Sequence, residues 1–523
     1  MNAVFLSVTL GAMLVATVFT LQPQLHMLQL NSYFNSRFID YLKTAASVRI
    51  VVSALFAALC AVLCFFAPLW AMVVAILTSA VRIVYAIYKI RHAKKKIVYT
   101  GRVKRMIATW FLVCAVVALV CALSGALEYG IVAAAVMTAA IPWMAMLANL
   151  LNAPLENGMK RWYINDAKRI LKSRPDLKII GLTGSYGKTS TKHILGRMLS
   201  EKYNVMITPG GVNTTLGVVR TIREQLRPDA QIFVVEMGAK KTGDIREICE
   251  LVHPDTGIIT SIGPQHLNTF GSIENIIHTK FELADEVQNN GGMLYLNLDN
   301  PYIAAQADGY TYKGYGVENP DCAVSAKDIS VSRHGLSFTA VAGGREIPIS
   351  TKLLGMHNVL NILAAVAVCS DLGLSDTDIR YAANRLTPVE HRLQMKPFYN
   401  GAILIDDAYN ANPAGSLEAL RVLGSFAPMK RIVVTPGLVE LGVRETDCNR
   451  ALGEACAEYA DQIIFVGQER SKPLLEGAQN KGCDLSKIQV VKTFSDAAVL
   501  LRTMCDQNTA VLFENDLPDN YER

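Results

Sequence analysis

Negative charge is almost absent from the first 150 residues, where Asp40 and Glu128 are the only acidic residues beside twelve lysines and arginines. The whole chain has a net charge of +6, so the residues after 150 carry a net negative charge. The basic character therefore belongs to one part of the chain. It gives no support for binding to nucleic acid.

Cysteine motifs are also missing. The eleven cysteines are scattered, with no Cys-x-x-Cys pair and no Cys/His spacing typical of a zinc site. Internal repeats and low-complexity tracts are absent too. The sequence thus predicts neither a disulfide framework nor a cysteine-bound metal, and we interpret the cysteines as reduced packing residues.

Five long apolar runs occupy the acid-poor part of the chain. Each is close to the length that an α-helix needs to cross a bilayer. The first run lacks a basic segment before it and a small-residue cleavage site, so we do not interpret it as a signal peptide. The alternative is a buried helical bundle in a soluble protein. The predicted transmembrane helices lie at about 3–21, 48–66, 69–90, 106–126 and 129–150.

Lysine and arginine are concentrated in residues 22–49, in 89–105 and directly after residue 150, and they are absent from the turns near Pro68 and in 124–129. Positively charged loops stay on the cytoplasmic side of a membrane. The pattern predicts a multi-pass protein of the cell inner (cytoplasmic) membrane with its N-terminus outside. Everything after residue 150 is then cytoplasmic.

A glycine-rich turn follows the apolar run Leu177–Leu182 and precedes the helix-like run Thr191–Leu199. Such a turn brings backbone N–H groups and a helix N-terminus to phosphate oxygens. In it, Lys188 is placed to reach the β- and γ-phosphates of a nucleotide, and the Thr189 hydroxyl to bind Mg²⁺. We therefore predict ATP and Mg²⁺ as cofactors. The predicted phosphate-binding set is Thr183, Gly184, Ser185, Gly187, Lys188, Thr189 and Ser190.

Strand-like and helix-like segments alternate after residue 177, which predicts an α/β fold with parallel sheets covered by helices. Residues 321–350 differ, because short alternating strands with Gly343-Gly344 as a turn predict an antiparallel insert. The predicted strands are Lys178–Leu182, Ile232–Glu236, Gly257–Ile262, Gly292–Asn297, Ala402–Asp407, Arg431–Thr435, Gln462–Val466, Ile488–Val491 and Ala510–Glu514.

Three candidate site residues follow the phosphate turn in the sequence. Glu236 ends an apolar strand, where a carboxylate faces the phosphate turn and can bind Mg²⁺. His266 follows the next strand and could bind a second metal, although a loop histidine that packs or meets solvent is the commoner case. Lys280 lies on a predicted helix, where a solvated lysine is the ordinary interpretation.

A second group of candidates lies further along. Asn358 and Asn361 share one face of a predicted helix, and their amides suit the edge of an adenine; helix capping by Asn358 is an equal alternative. Asp406 and Asp407 end another strand, where paired acids can hold ribose hydroxyls or a metal. Arg392 lies in a predicted hinge and could reach across to a γ-phosphate.

The order of these motifs resembles the Mur ligase family. The resemblance covers about residues 160–523. It implies a P-loop central domain at 160–387 and a Rossmann-like C-terminal domain at 388–523, which follow the membrane region predicted from hydropathy at 1–150. The strings that carry it are Thr183–Ser190, Glu236, His266–Ser272, Lys280, His357–Asn361, Arg392-Leu393 and Asp406–Pro413.

The resemblance implies an ADP-forming ligase of cell-wall peptidoglycan precursor synthesis. ATP activates a carboxylate as an acyl phosphate, and an amine attacks it. The implied partners are a muropeptide-type carboxylate acceptor and an amino-acid or dipeptide amine, with D-alanyl-D-alanine expected. By this resemblance the catalytic residues are Lys188, Lys280, His266 and Arg392. The implied metal ligands are Thr189, Glu236, His266 and carbamylated Lys280. The further nucleotide contacts are Asn358, Asn361, Arg392 and Asp407.

Three features depart from the family pattern. The UDP-binding N-terminal domain has no counterpart, and the predicted membrane helices stand in its place. Thr435–Val439 replaces a Gly-Asp-Met string, and Glu514–Tyr521 replaces a Lys-Gly-Ser-Arg-type string. We therefore hypothesise an acceptor that is either UDP-linked or lipid-linked, with membrane lipid as a further partner. The alternatives are a membrane transport ATPase or lipid kinase, and a degenerate ligase kept as a scaffold.

Overall fold

The computed structural model describes residues 3–93, 96–123, 130–265, 267–409, 411–439 and 441–516. It divides into two units that meet in the sequence at Trp162 and Tyr163. The first unit is helical, and the second contains two β-sheets. Each unit buries apolar clusters of its own.

The first unit consists of helices, and the last of them continues into the second unit. They are α1 (Ala3–Leu30), α2 (Asn35–Ala45), α3 (Ser47–Phe66), α4 (Pro68–Arg91), α5 (Gly101–Leu123), α6 (Gly130–Ala139) and α7 (Ile141–Lys172). Four of the described helices are long and apolar enough to cross a membrane, or five when α6 and α7, which are bent by 78°, count as one span. Large apolar side chains such as Phe66, which is 85% exposed, cover their outer surfaces.

The first helix is longer than the sequence predicts. It continues past residue 21 to Leu30, because Leu25 and Leu28 in its last turns are buried in a cluster with Phe38 and Trp110. Residues 124–129, which separate the fourth and fifth predicted spans, lie outside the described residues.

The second unit begins with a nine-stranded sheet. Its strand order is β2-β3-β1-β4-β5-β6-β7-β8-β9, in which β2 to β7 pair in parallel and β7 to β9 are antiparallel. The strands are β1 (Lys178–Thr183), β2 (Val205–Ile207), β3 (Ile232–Glu236), β4 (Thr256–Ile259), β5 (Met293–Asn297), β6 (Tyr312–Tyr315), β7 (Val324–Ser332), β8 (Gly335–Ala342) and β9 (Arg345–Thr351). The helices are α8 (Lys188–Leu199), α9 (Thr215–Gln225), α10 (Asp244–Val252), α11 (Leu267–Phe270), α12 (Ile273–Asn289), α13 (Pro301–Ala304), α14 (His357–Asp371) and α15 (Asp376–Asn384).

A six-stranded sheet follows, in the order β10-β11-β15-β12-β13-β14. All of its pairs are parallel except β10 with β11. The strands are β10 (Gln394–Pro397), β11 (Ile403–Asp407), β12 (Lys430–Thr435), β13 (Gln462–Val466), β14 (Ile488–Val491) and β15 (Thr509–Glu514). The helices are α16 (Pro413–Gly424), α17 (Glu445–Tyr459), α18 (Ser471–Asn480) and α19 (Phe494–Met504).

The α/β fold and the antiparallel insert are confirmed. All nine predicted strands are present with ends shifted by at most a few residues, and Gly343-Gly344 forms the turn between β8 and β9. Three strands were not predicted, namely β2, β6 and β10. They are three or four residues long, and β6 (Tyr-Lys-Gly-Tyr) and β10 (Gln-Met-Lys-Pro) lack an apolar run.

Candidate active site

The phosphate turn joins β1 directly to the N-terminus of α8. Gly184 has φ +150°, and a Cβ there would lie 2.1 Å from the Thr260 hydroxyl oxygen. Gly187 has φ +79°, and its Cβ would lie 2.7 Å from Oδ1 of Asn361. Glycine is therefore required at both positions, both for backbone conformation and for space.

Lys188 lies at the start of α8 and folds back over the turn. Its Nζ donates to the carbonyl oxygens of Gly184 at 2.6 Å and Ser185 at 2.9 Å. Burial lowers the pKa of Lys188 to about 8; Glu236 opposes this effect, and the nearby Arg392 adds to it. The lysine thus lies within electrostatic range of two other predicted site residues.

Glu236 ends β3 beside the phosphate turn, because Leu182 of β1 is its register partner. Its Oε1 accepts hydrogen bonds from the Thr189 hydroxyl at 3.2 Å and from Nδ2 of Asn213 at 3.1 Å. Its Oε2 forms a buried ion pair with Nζ of Lys192 at 2.9 Å. The structure therefore brings together two of the four predicted metal ligands, Thr189 and Glu236, on neighbouring elements.

Lys192 and Asn213 were not among the predicted site residues. Lys192 lies one helical turn after Lys188 on α8, so the helical spacing was a usable signal for it. Asn213 lies in the loop before α9, and no local pattern marks it. Both are positioned by their contact with the Glu236 carboxylate.

The residues around Thr189 fit Mg²⁺. The hydroxyl and the carboxylate of Glu236 are hard oxygen ligands that lie together, and Mg²⁺ in nucleotide sites usually takes one or two protein oxygens together with phosphate and water. Within the described part of the chain, no group of three or more His, Cys, Asp or Glu side chains is placed to hold a metal alone. His266, the predicted second-metal ligand, lies outside the described residues.

Lys280 is not a solvated lysine, because its side chain on α12 is only 3% exposed. Burial lowers its pKa well below the ordinary value, and the positive charge of Lys188 acts in the same direction, whereas Asp244, Glu282 and Glu236 oppose it. Glu282, two residues further on, accepts the N–H groups of Gly243 and Arg246 and so fixes the start of α10. The structure thus places Lys280 in the electrostatic neighbourhood of the phosphate turn.

Asn358 and Asn361 pack α14 against the helix that follows the phosphate turn. Nδ2 of Asn358 donates to the Leu354 carbonyl at 2.7 Å, and Nδ2 of Asn361 donates to Oδ1 of Asn358 at 3.0 Å. Oδ1 of Asn361 accepts from the Thr191 hydroxyl at 3.0 Å. Because Met356 occupies the N-cap position and makes no side-chain cap, Asn358 is not the helix cap. The adenine role of both amides remains a prediction.

Arg392 lies two residues before β10, and Asp407 is the last residue of β11. The Arg392 guanidinium carbon is 5.1 Å from the ring centroid of Tyr409, and Oδ1 of Asp407 accepts the Leu393 N–H at 3.1 Å. Burial raises the pKa of Asp407 to about 6, and the charge of Arg392 opposes this rise. The two side chains are therefore close enough to act on one ligand.

Asp406, the other member of the predicted acid pair, points to a different set of groups. Its Oδ2 forms an ion pair with Nζ of Lys396 at 2.7 Å and lies in hydrogen-bonding contact with Nδ1 of His391 at 2.8 Å. Burial would raise the pKa of Asp406, but hydrogen bonds from Lys396 and His391 lower it below its ordinary value. The two acids thus have separate surroundings, and Asp406 is held in a local network.

Comparison with known families assigns both α/β segments. Residues 182–369 match the Mur ligase middle domain, and residues 391–514 match the Mur ligase, glutamate ligase domain. The phosphate turn, Glu236, Lys280, Asn358 and Asn361 fall in the first match, and Arg392 and Asp407 in the second.

Two similar proteins have the same name. The UDP-N-acetylmuramoyl-tripeptide--D-alanyl-D-alanine ligase of Escherichia coli is 29% identical over 334 residues, which cover 62% of this chain and 73% of that protein. The enzyme of the same name from Bacillus subtilis is 30% identical, over 58% of this chain and 65% of that protein. The chain therefore spans about two thirds to three quarters of the length of these relatives.

Solved structures agree with the sequence matches. A crystal structure of MurF from Acinetobacter baumannii has a TM-score of 0.61 at 28% identity and covers 68% of this chain and 77% of that one. MurF ligase from Thermotoga maritima in complex with ADP has a TM-score of 0.61 at 26% identity and covers 68% and 80%. From its two matched domains, its fold and the motifs gathered at the phosphate turn, the chain belongs to the Mur ligase family.

Proposed function

We propose that the chain is an ATP-dependent, ADP-forming ligase of peptidoglycan precursor synthesis that joins D-alanyl-D-alanine to a UDP-N-acetylmuramoyl-tripeptide. The observation that carries the proposal is the arrangement of Lys188, Thr189, Glu236 and Lys280 around one phosphate turn, in a chain whose relatives bear the name of that reaction.

The chemistry requires two anions to meet. When bound, ATP supplies the γ-phosphoryl group that converts the acceptor carboxylate into an acyl phosphate, which the amine then attacks. Lys188 and the backbone N–H groups at the start of α8 neutralise and orient the phosphates, and Thr189 and Glu236 would hold Mg²⁺. Arg392, two residues before β10, adds positive charge near Lys188 and so to the same phosphate site.

Lys192 has a supporting role in this proposal. Its ion pair with Oε2 of Glu236 leaves Oε1 directed towards the Thr189 hydroxyl. The carboxylate is therefore oriented by a fixed partner, as ligating carboxylates commonly are. His266 and carbamylated Lys280 complete the metal ligands that the family resemblance implies, and both roles remain proposals.

The test is ADP release by the purified full-length protein with UDP-N-acetylmuramoyl-tripeptide and D-alanyl-D-alanine. We expect ADP only when both substrates are present, with an amide product in equal amount. Lys188→Ala should lower the rate by at least about 100-fold, as the loss of a charge-stabilising donor usually does. ADP release that is independent of the amine would contradict the ligase assignment and favour an ATPase.

We further propose that the apolar helices anchor the enzyme in the inner membrane with the ligase domains in the cytoplasm. The length and hydropathy of the helices support this proposal, as does the concentration of lysine and arginine in residues 89–105. In intact spheroplasts of a cysteine-free background, Ala67→Cys should react with a membrane-impermeant thiol reagent, and Lys104→Cys should react only after lysis. The opposite labelling would reverse the topology.

A lipid-linked acceptor, in place of the UDP-linked one, is an alternative within this proposal. The membrane anchor motivates it, because substrate and enzyme would then share one surface. Supplying the lipid-linked and the UDP-linked acceptor side by side decides between them. Product from the UDP-linked form alone would exclude the alternative.

A further inference from the structure

Two carboxyl groups face each other at one end of the second sheet. Asp407 ends β11 and Glu514 ends β15, and they are register partners across the parallel pair. The Glu514 side chain has no exposed surface. Its Oε1 accepts a hydrogen bond from the Ser416 hydroxyl on α16 at 2.5 Å. The two acids therefore lie side by side, with Glu514 fully buried and Asp407 half-buried.

The second carboxyl oxygen of Glu514, Oε2, indicates the protonation state of this residue. Oε2 is buried and has no hydrogen-bond partner among the described residues. A buried carboxylate oxygen without a donor is strongly unfavourable. A proton on Oε2 removes this problem, because the O–H then has an acceptor, the Asp407 carboxylate, within hydrogen-bonding reach.

The surrounding charges favour the same protonation state. Burial raises the pKa of Glu514 well above its ordinary value, and the charge of Asp407 raises it further. Asp407 itself has Arg392 near it, and Asp406 is the other acid on its strand. On the helix side, Cys456 of α17 is the titratable group near Glu514. Among the described residues the cation Arg392 therefore acts on Asp407 and none acts on Glu514, so the negative charge of the pair belongs on Asp407.

We propose that Glu514 is a protonated carboxylic acid that donates a hydrogen bond from Oε2 to the Asp407 carboxylate and thereby positions Asp407 in the nucleotide site. The pair shares one proton and carries one negative charge, which faces Arg392. Glu514 is a positioning residue, since it is fully buried and cannot touch the nucleotide. Only the last link, from Asp407 to the nucleotide, rests on the proposed function.

The protonation state can be measured without any activity. Infrared spectra of the full-length protein at neutral pH should contain a protonated-carboxyl C=O band that is missing from Glu514→Gln. The matched control is Glu469→Gln, which removes an exposed carboxylate of the same domain and should leave the band unchanged. Equal spectra for the wild type and Glu514→Gln would overturn the proposal, whatever the enzyme catalyses.

The positioning role has its own readout. Glutamine can accept from Ser416 and donate to Asp407, whereas alanine can do neither. We expect Glu514→Ala to raise the KM for ATP, and the Kd for ADP, by about tenfold with a smaller change in kcat, as for a lost hydrogen bond to a charged group. Glu514→Gln should recover most of this loss. Equal impairment in both variants would show that an ionised Glu514 is needed and would contradict the proposal.

Discussion

At the scale of single residues, the buried pair of Lys192 and Glu236 is the group most sensitive to change. Both side chains are almost fully buried, and removing one member of such a pair leaves an uncompensated charge. The pair also lies directly behind the phosphate turn, so its loss affects both stability and nucleotide binding.

We expect Lys192→Met to lower the free energy of unfolding by about 3–5 kcal/mol, measured by chemical denaturation in detergent. Adding Glu236→Gln to that variant should restore part of the stability, because the unpaired charge is then gone. Nucleotide binding should stay impaired in the double variant. Full stability in Lys192→Met alone would show that another group compensates the negative charge of Glu236.

Lys280 gives a second prediction at this scale. Lys280→Ala should abolish ADP release, and short carboxylates added to the assay should restore part of it if the residue acts as a carbamate. The control is Lys241→Ala, an exposed lysine in the loop before α10, which should leave the rate unchanged. Loss of activity without rescue would leave the lysine in a different, cationic role.

The pair of Asp407 and Glu514 predicts a dependence of stability on pH. Both pKa values are raised in the folded protein, to about 6 for Asp407 and well above the ordinary 4.5 for Glu514. The stabilisation is therefore complete below the unfolded-state values and declines as pH rises towards the folded-state values, by up to about 1.4 kcal/mol per pH unit for each extra proton bound. In thermal unfolding, wild type should lose stability relative to Glu514→Gln as pH rises from about 4.5. A constant difference between the two proteins would contradict the raised pKa.

At the scale of elements, the sequence predicted the strands that consist of a continuous apolar run. Parallel strands buried on both faces leave a continuous apolar signal, and β1, β3 and β13 begin and end at or within a residue of the predicted positions. Strands β6 and β10 gave no such signal, because their sequences, Tyr-Lys-Gly-Tyr and Gln-Met-Lys-Pro, contain no apolar run. They become strands by pairing with β5 and β11. The different surroundings of Asp406 and Asp407 were equally hidden, since they depend on β10, which was not predicted.

Helix α14 is an element that is apolar on nearly every face and is buried in the larger core of the first sheet. Ala365 is fully buried in one cluster with Leu195 and Phe338. We expect Ala365→Leu to lower the free energy of unfolding by about 1–3 kcal/mol, because the added methylenes have no space. Ala451→Leu, at an exposed position of α17, is the matched control and should change stability by less than about 0.5 kcal/mol.

At the scale of the whole molecule, the sequence predicted an apolar helical part followed by α/β domains, because charge and hydropathy change sharply near residue 150. The phosphate turn and Glu236 could be predicted because the turn follows, and Glu236 ends, a strand with a clear apolar signal. Lys192 had only its helical spacing from Lys188 as a signal and Asn213 had none, since their contacts with Glu236 join separate segments of the sequence.

We predict that the α/β unit catalyses the reaction without the helical unit. A chain that begins at residue 151 retains all the apolar clusters of the two sheets, so we expect it to fold and to use a soluble UDP-linked acceptor with a KM close to that of the full-length protein. Any advantage of the full chain should appear only with a lipid-linked acceptor in vesicles. A large loss with the soluble acceptor would show that the helices contribute to catalysis itself.

The position of β15 in the second sheet has a consequence for synthesis on the ribosome. This strand is the last of its domain in sequence, yet it lies between β11 and β12 and pairs with both. Until residues 509–514 have left the exit tunnel, β11 and β12 have no partner between them, and their unpaired edges are open to aggregation or to chaperones. The nascent chain therefore completes its first sheet during translation but must wait for the final strand before the second can close.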